Sequence, residues 1–197
     1  MLNEKMKGKR IGVVMTGSFC TFDVALECIE ALATSGAIMT AILSDATKEL
    51  DTKFGKAEVL RDKLKQITGR EIIQTIPAAE PIGPGKQLDA LVVLPATGNT
   101  IAKIAIGIAD TVASFAVKSH LRNGRPVIIG VSSNDALGTG AKNIGHLLNA
   151  KNIYFVPFCQ DDHAAKPRSM VFKKEYVLPA IYEALHGRQI QPIIACH

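Results

Sequence analysis

The sequence has no tryptophan and only three tyrosines. So thin an aromatic complement argues against a stacking platform for nucleic acid. No apolar run approaches the ~20 residues of a membrane span. The first ten residues carry four lysines or arginines and one glutamate. The apolar stretch 11–15 is too short for a secretory signal and runs straight into a turn, so a cytoplasmic location is expected. The cysteines Cys20, Cys28, Cys159 and Cys196 form no C-x-x-C pair, and no Cys/His cluster has zinc spacing. No metal site is predicted, and free thiols are expected in a reducing compartment. Charge of neither sign dominates. A net +5 suits a protein that handles anions and equally suits an ordinary solvated surface.

What the sequence does have is apolar residues along its whole length. They make up 47% of 197 residues, which excludes a disordered chain and predicts one domain with a substantial core. That domain is read as 1–197, with a tail at 1–9, a candidate lid loop at 159–170 and a C-terminal helix and tail at 171–197. Strands are expected at 10–16, 38–43, 71–76, 90–94, 126–131 and 152–157. Helices are expected at 22–34, 54–67, 101–109, 112–121, 137–149 and 171–186, with a proline-rich loop at 77–86. Alternating strands and helices predict an α/β fold: a three-layer, doubly wound parallel sheet of Rossmann-like type. Two apparent nucleotide motifs fail. Gly83-Pro84-Gly85-Lys86 lacks P-loop spacing, and the third glycine expected after Gly138 and Gly140 is Asn143.

Right-handed crossovers bring every strand-to-helix turn to one sheet edge. Four of those turns are rich in small hydroxyl and amide residues: Thr16-Gly17-Ser18, Ser44-Asp45-Ala46-Thr47, Thr97-Gly98-Asn99-Thr100 and Ser132-Ser133-Asn134. Each could serve only as a helix cap. Together on one edge they look like a cradle for a phosphorylated ligand, with neutral donors and helix N-termini receiving the anion.

These turns resemble those of the flavoprotein family that includes phosphopantothenoylcysteine decarboxylase and the peptidyl-cysteine decarboxylases. Pro95–Thr100 is similar to that family's P-A-S-A-N-T motif, and Gly107-Ile108-Ala109-Asp110 to its G-x-x-D element. The resemblance implies FMN as the cofactor. Ser18, Ser44 and Thr100 would hold its phosphate, and Thr97, Gly98 and Asn99 would lie against flavin or substrate. Thr16, Gly17, Thr47, Pro95, Ala96, Ser132, Ser133 and Asn134 complete the implied cofactor site.

The sequence departs from the decarboxylases in two places. Ala79-Glu80-Pro81-Ile82 stands where they carry a catalytic histidine, and Ser132-Ser133-Asn134 replaces P-A-M-N. Ala79–Pro84, Leu121–Gly124, Ser133–Gly138 and Lys151–Phe158 instead resemble the B-subunit branch of the two-subunit dipicolinate synthases. That resemblance implies an oxidoreductase subunit active during sporulation, in the mother cell. It would oxidise a dihydrodipicolinate-type precursor to dipicolinate, beside an A subunit that brings NADP. The family's trimers and dodecamers imply a homo-oligomer. An FMN-dependent decarboxylase-like lyase and a non-catalytic assembly partner that keeps the fold are the alternatives. Lys103, Lys166 and Arg168 are the candidate anchors for a small dicarboxylate, or else solvated cations. No catalytic base stands out among His120, His146, His163, His186 and His197.

Overall fold

The computed structural model describes residues 5–195. Its parallel strands are β1 (Arg10–Met15), β2 (Ile38–Leu43), β3 (Ala90–Ala96), β4 (Val127–Ser133) and β5 (Ile153–Phe155). Two short strands, β6 (Phe158–Cys159) and β7 (Met170–Phe172), add antiparallel pairing. Among the described residues the seven-stranded sheet runs β2-β1-β3-β4-β7-β6, and β5 pairs with the first half of β4. The helices are α1 (Phe22–Thr34), α2 (Asp45–Glu49), α3 (Ala57–Thr68), α4 (Ile76–Ala79), α5 (Gly98–Ala105), α6 (Val112–Leu121), α7 (Ala141–Leu148) and α8 (Val177–Leu185).

Side chains alternate across the strands, so each strand feeds two cores. Val13, Met15, Val92, Leu94 and Ile128 face the layer of α1, α3 and α8. Val14, Leu91, Val93, Ile129 and Val131 face the layer of α5, α6 and α7. Burial on both faces explains why β3 and β4 read as continuous apolar runs rather than alternating ones.

The doubly wound, Rossmann-like parallel arrangement stands, with an antiparallel extension at one edge. Several local expectations are corrected. Residues 71–76 form only a bridge, Ile42 with Ile73, instead of a strand. The loop 77–86 begins with a helical turn, because Thr75 caps Ala78 N–H and a proline follows near the helix start. Residues 171–186 are not one helix. Met170–Phe172 pairs with the end of β4, and the helix begins only at Val177. The candidate lid loop is flanked by β6 and β7 and exposed from Asp161 to Arg168.

The expectation of free thiols is corrected as well. Cys20 and Cys28 are free, but Cys159 is disulfide-bonded. The C-terminal segment runs alongside β6: Phe158 N–H donates to Ile193 O at 3.1 Å, and Ala195 N–H to Phe158 O at 3.2 Å. Cys196 lies outside the described residues.

Candidate functional site

From β1 the chain winds outward to β2, then returns to the other side of β1 to form β3. The crevice at the carboxyl ends of β1 and β3 is therefore the point where strand order reverses, the usual ligand position in open α/β sheets. Thr16 spans it. Its hydroxyl donates to Pro95 O at 2.7 Å and accepts from Thr97 N–H at 2.9 Å. The register of β3 against β4 slips between Val93 and Ala96, a bulge that includes Pro95. Proline has no N–H for the ladder, so an irregularity is where a central strand tolerates it. The bulge delivers Thr97 to the edge as the N-cap of α5.

Direct contacts join three of the four predicted turns, and the fourth is bonded to the end of β1. Ser18 Oγ lies 2.7 Å from Ser132 Oγ, which reaches across the end of β3 to β4. Ser44 N–H donates to Met15 O at 3.0 Å, and Thr47 Oγ1 donates to the same carbonyl at 3.3 Å. Gly98 meets Ser133 so closely that a Cβ there would lie 2.8 Å from its Oγ. Asn134 follows in the same turn and is exposed, as is Asn99 at the start of α5.

The donors fall into two sets. Thr16, Ser44, Thr47 and Thr97 spend their hydroxyls inside the scaffold. Ser44 Oγ and Thr47 Oγ1 are 2.8 Å apart, and Thr97 Oγ1 accepts from Thr100 N–H at 3.2 Å while lying 3.0 Å from Thr100 Oγ1. The first intrahelical bond of α5 runs from Ile101 N–H to Thr97 O, so the amides of Gly98 and Asn99 precede it and face outward. Outward amides, hydroxyls and the positive end of a helix dipole form a donor set that fits a phosphate. A side chain at Gly98 would fit only if Ser133 Oγ left its bond from Asp135 N–H or α5 moved away from β4.

The predicted carboxylate anchors are not equivalent. Lys103 Nζ holds Asp110 at 2.7 and 2.9 Å, and its ammonium keeps the Asp110 carboxyl below the usual carboxylate range. Lys166 pairs with Asp161 at 3.1 Å. Arg168 is exposed and has no ion pair among the described residues. Its stem lies beside Gly138, and its carbonyl accepts from Leu137 N–H at 2.9 Å, in the loop that follows Asn134.

His120 is wholly buried at the end of α6, with Nε2 at 3.2 Å from Pro126 O and Nδ1 unpartnered. Burial pushes its pKa down to about 4, so it is a neutral core residue. One member of the site escapes sequence reading. Thr21 hydrogen-bonds Ser18 O and Ser132 Oγ, both at 3.0 Å. A threonine just before a helix reads as an ordinary cap, which conceals it.

The strand-reversal crevice is lined by hydroxyl-rich turns whose donors fit a phosphate, and the flavoprotein family model matches residues 1–171. The chain belongs to the flavoprotein family. It is 42% identical to the B subunit of dipicolinate synthase from Bacillus subtilis, over 97% of this chain and 96% of that one. The crystal structure of the B subunit of dipicolinate synthase from Bacillus halodurans C superposes with a TM-score of 0.88 at 41% identity, covering 96% of this chain and 97% of that one. The FMN-dependent cysteine decarboxylase SpaF shares the fold, with a TM-score of 0.64 at 20% identity over 92% and 97% of the two chains.

Proposed function

We propose that this chain is the flavin-binding subunit of a two-subunit dipicolinate synthase. The observation that carries the reading is the crevice between β1 and β3, where three hydroxyl-rich turns are wired together around the free N-terminus of α5 and a fourth is bonded to the end of β1. Ser18 and Thr100 would hold the FMN phosphate with the outward amides of Gly98 and Asn99, and Ser44 would join them by turning its hydroxyl from Thr47 to the phosphate. The side chains of Asn99, Ser133 and Asn134, with the backbone at Thr97 and Gly98, would face flavin or substrate.

The reaction removes one hydride and one proton from a dihydropyridine ring bearing two carboxylates, and the aromaticity gained favours it. FMN, when bound, supplies a two-electron acceptor. The chain's own part is to hold a dianion in one orientation and keep its carboxylates desolvated. Arg168 is the anchor, since its guanidinium is unclaimed among the described residues and offers a two-pronged grip on a carboxylate. Lys103 and Lys166 already neutralise Asp110 and Asp161, so they set local charge rather than bind substrate. An A subunit brings NADP. Assembly into trimers or larger rings, in the cytoplasm of a sporulating mother cell, completes the reading.

The test starts with the purified protein and added FMN, which should give a bound flavin absorbance spectrum. A colourless protein that binds no added FMN would sink the cofactor assignment. With its partner subunit the protein should form dipicolinate from the precursor. Asn99→Ala and Thr100→Ala should each lower that rate at least about tenfold, about 1.4 kcal/mol of transition-state stabilisation. Unchanged rates would move the site elsewhere.

A further inference from the structure

Thr21 stands at the N-cap of α1, where a threonine usually turns its hydroxyl onto a first-turn amide and contributes about 1 kcal/mol. It makes no such cap bond. Its hydroxyl instead reaches Ser18 O at 3.0 Å and Ser132 Oγ at 3.0 Å. Ser132 is itself buried at the end of β4 and lies 2.7 Å from Ser18 Oγ. The three hydroxyls form a chain, Thr21 to Ser132 to Ser18, and only Ser18 stands toward the crevice.

We infer that Thr21 and Ser132 are positioning residues for the phosphate end of a flavin nucleotide. This rests on the reading that the crevice takes FMN. The chain fixes Ser18 twice. Thr21 secures the main chain of the turn through the Ser18 carbonyl, and Ser132 secures the Ser18 side-chain rotamer. Hydroxyl hydrogens rotate freely, so the order of donors follows the partners present. With an anion in the crevice, Ser18 donates to it, Ser132 donates to Ser18 Oγ, and Thr21 continues to donate to Ser18 O or turns to Ser132. A hydroxyl that accepts a hydrogen bond is a better donor, so the bond from Ser132 strengthens the bond from Ser18 to the anion, and Thr21 adds to it when it turns from Ser18 O to Ser132. A cap is forgone at α1 and a preorganised donor is gained at the crevice.

The phosphate is what this chain serves, so riboflavin separates it from a merely structural role. Affinities for FMN, and for riboflavin by competition against FMN, should be measured on the full chain and on Thr21→Val, Ser132→Ala and Thr21→Ser. FMN affinity is expected to fall about three- to tenfold in Thr21→Val and Ser132→Ala and to stay near wild type in Thr21→Ser. Riboflavin affinity is expected to stay unchanged in all three. If Thr21→Val misfolds, Ser132→Ala carries the same comparison, since it removes one oxygen and leaves α1 intact. FMN and riboflavin affinities that fall together, or an FMN affinity that does not move, would overturn the inference. If Asn99→Ala and Thr100→Ala weaken FMN while Ser132→Ala does not, this inference fails and the cofactor reading stands. A wild-type protein that binds FMN no better than riboflavin overturns both.

Discussion

His120 shows what a single buried polar residue costs. Its Nε2 faces Pro126 O and must carry the hydrogen to donate there, which leaves Nδ1 a bare acceptor in a dry site. Protonation would add an unpaired charge to that interior, so burial holds the folded pKa down to about 4 against about 6.5 in the unfolded chain. Between those values the unfolded state binds more protons. Stability from this group is therefore full above about pH 6.5 and drains as the pH falls toward 4. The gap corresponds to about 3 kcal/mol at most. The difference in unfolding free energy between wild type and His120→Leu, measured by denaturant titration across pH 4 to 7 (a window set by those two pKa values), should shift by up to that amount. Parallel curves would show that His120 is not buried neutral. Cys28 behaves likewise: burial raises its thiol to about 11, so it is expected to resist alkylation in the folded protein while exposed Cys20 reacts.

At the level of elements, the site depends on how closely α5 approaches β4. Gly98 is not in a left-handed conformation, so its need for glycine comes from Ser133 rather than from φ. Gly98→Ala forces a Cβ to within 2.8 Å of Ser133 Oγ unless Ser133 gives up its bond from Asp135 N–H and rotates or the two elements part. Parting them moves the Gly98 and Asn99 amides. FMN affinity should fall about tenfold, or about 1.4 kcal/mol, with the far-ultraviolet circular dichroism unchanged; an unchanged affinity would show that α5 does not hold the phosphate. The four turns were legible in sequence because small hydroxyl residues after apolar runs mark both caps and anion sites. The donors inside each turn were not separable, since which hydroxyl is spent on the scaffold depends on neighbours about eighty residues away, as with Thr16 and Thr97. The segment 171–186 misleads for a related reason. Val171 and Phe172 suit a helix or a strand equally, and pairing with Ser132, available only in the folded sheet, decides it.

On the scale of the whole molecule, the net charge of +5 does not by itself say whether cations or neutral donors meet an anion, and the turns read as a cradle of neutral donors. Apart from Arg168, the cations on these turns and on the loop 159–170 are matched: Lys48 with Asp45 and Glu49, Lys103 with Asp110, Lys166 with Asp161. What meets the proposed phosphate is hydroxyls, amides and one helix end. Such donors act at contact distance and are little affected by ionic screening, whereas exposed charges lose most of their reach when the Debye length shrinks from about 10 Å at 0.1 M salt to about 3 Å at 1 M. The FMN dissociation constant should therefore rise less than about threefold across that salt range. Dicarboxylate binding, proposed to rest on exposed Arg168, should weaken more steeply over the same range, and Arg168→Ala should flatten that second curve while leaving the first in place. Isothermal titrations of FMN and of dipicolinate at several salt concentrations test both. A steep salt dependence for FMN would mean that cations from elsewhere, such as a neighbouring protomer, complete the phosphate site.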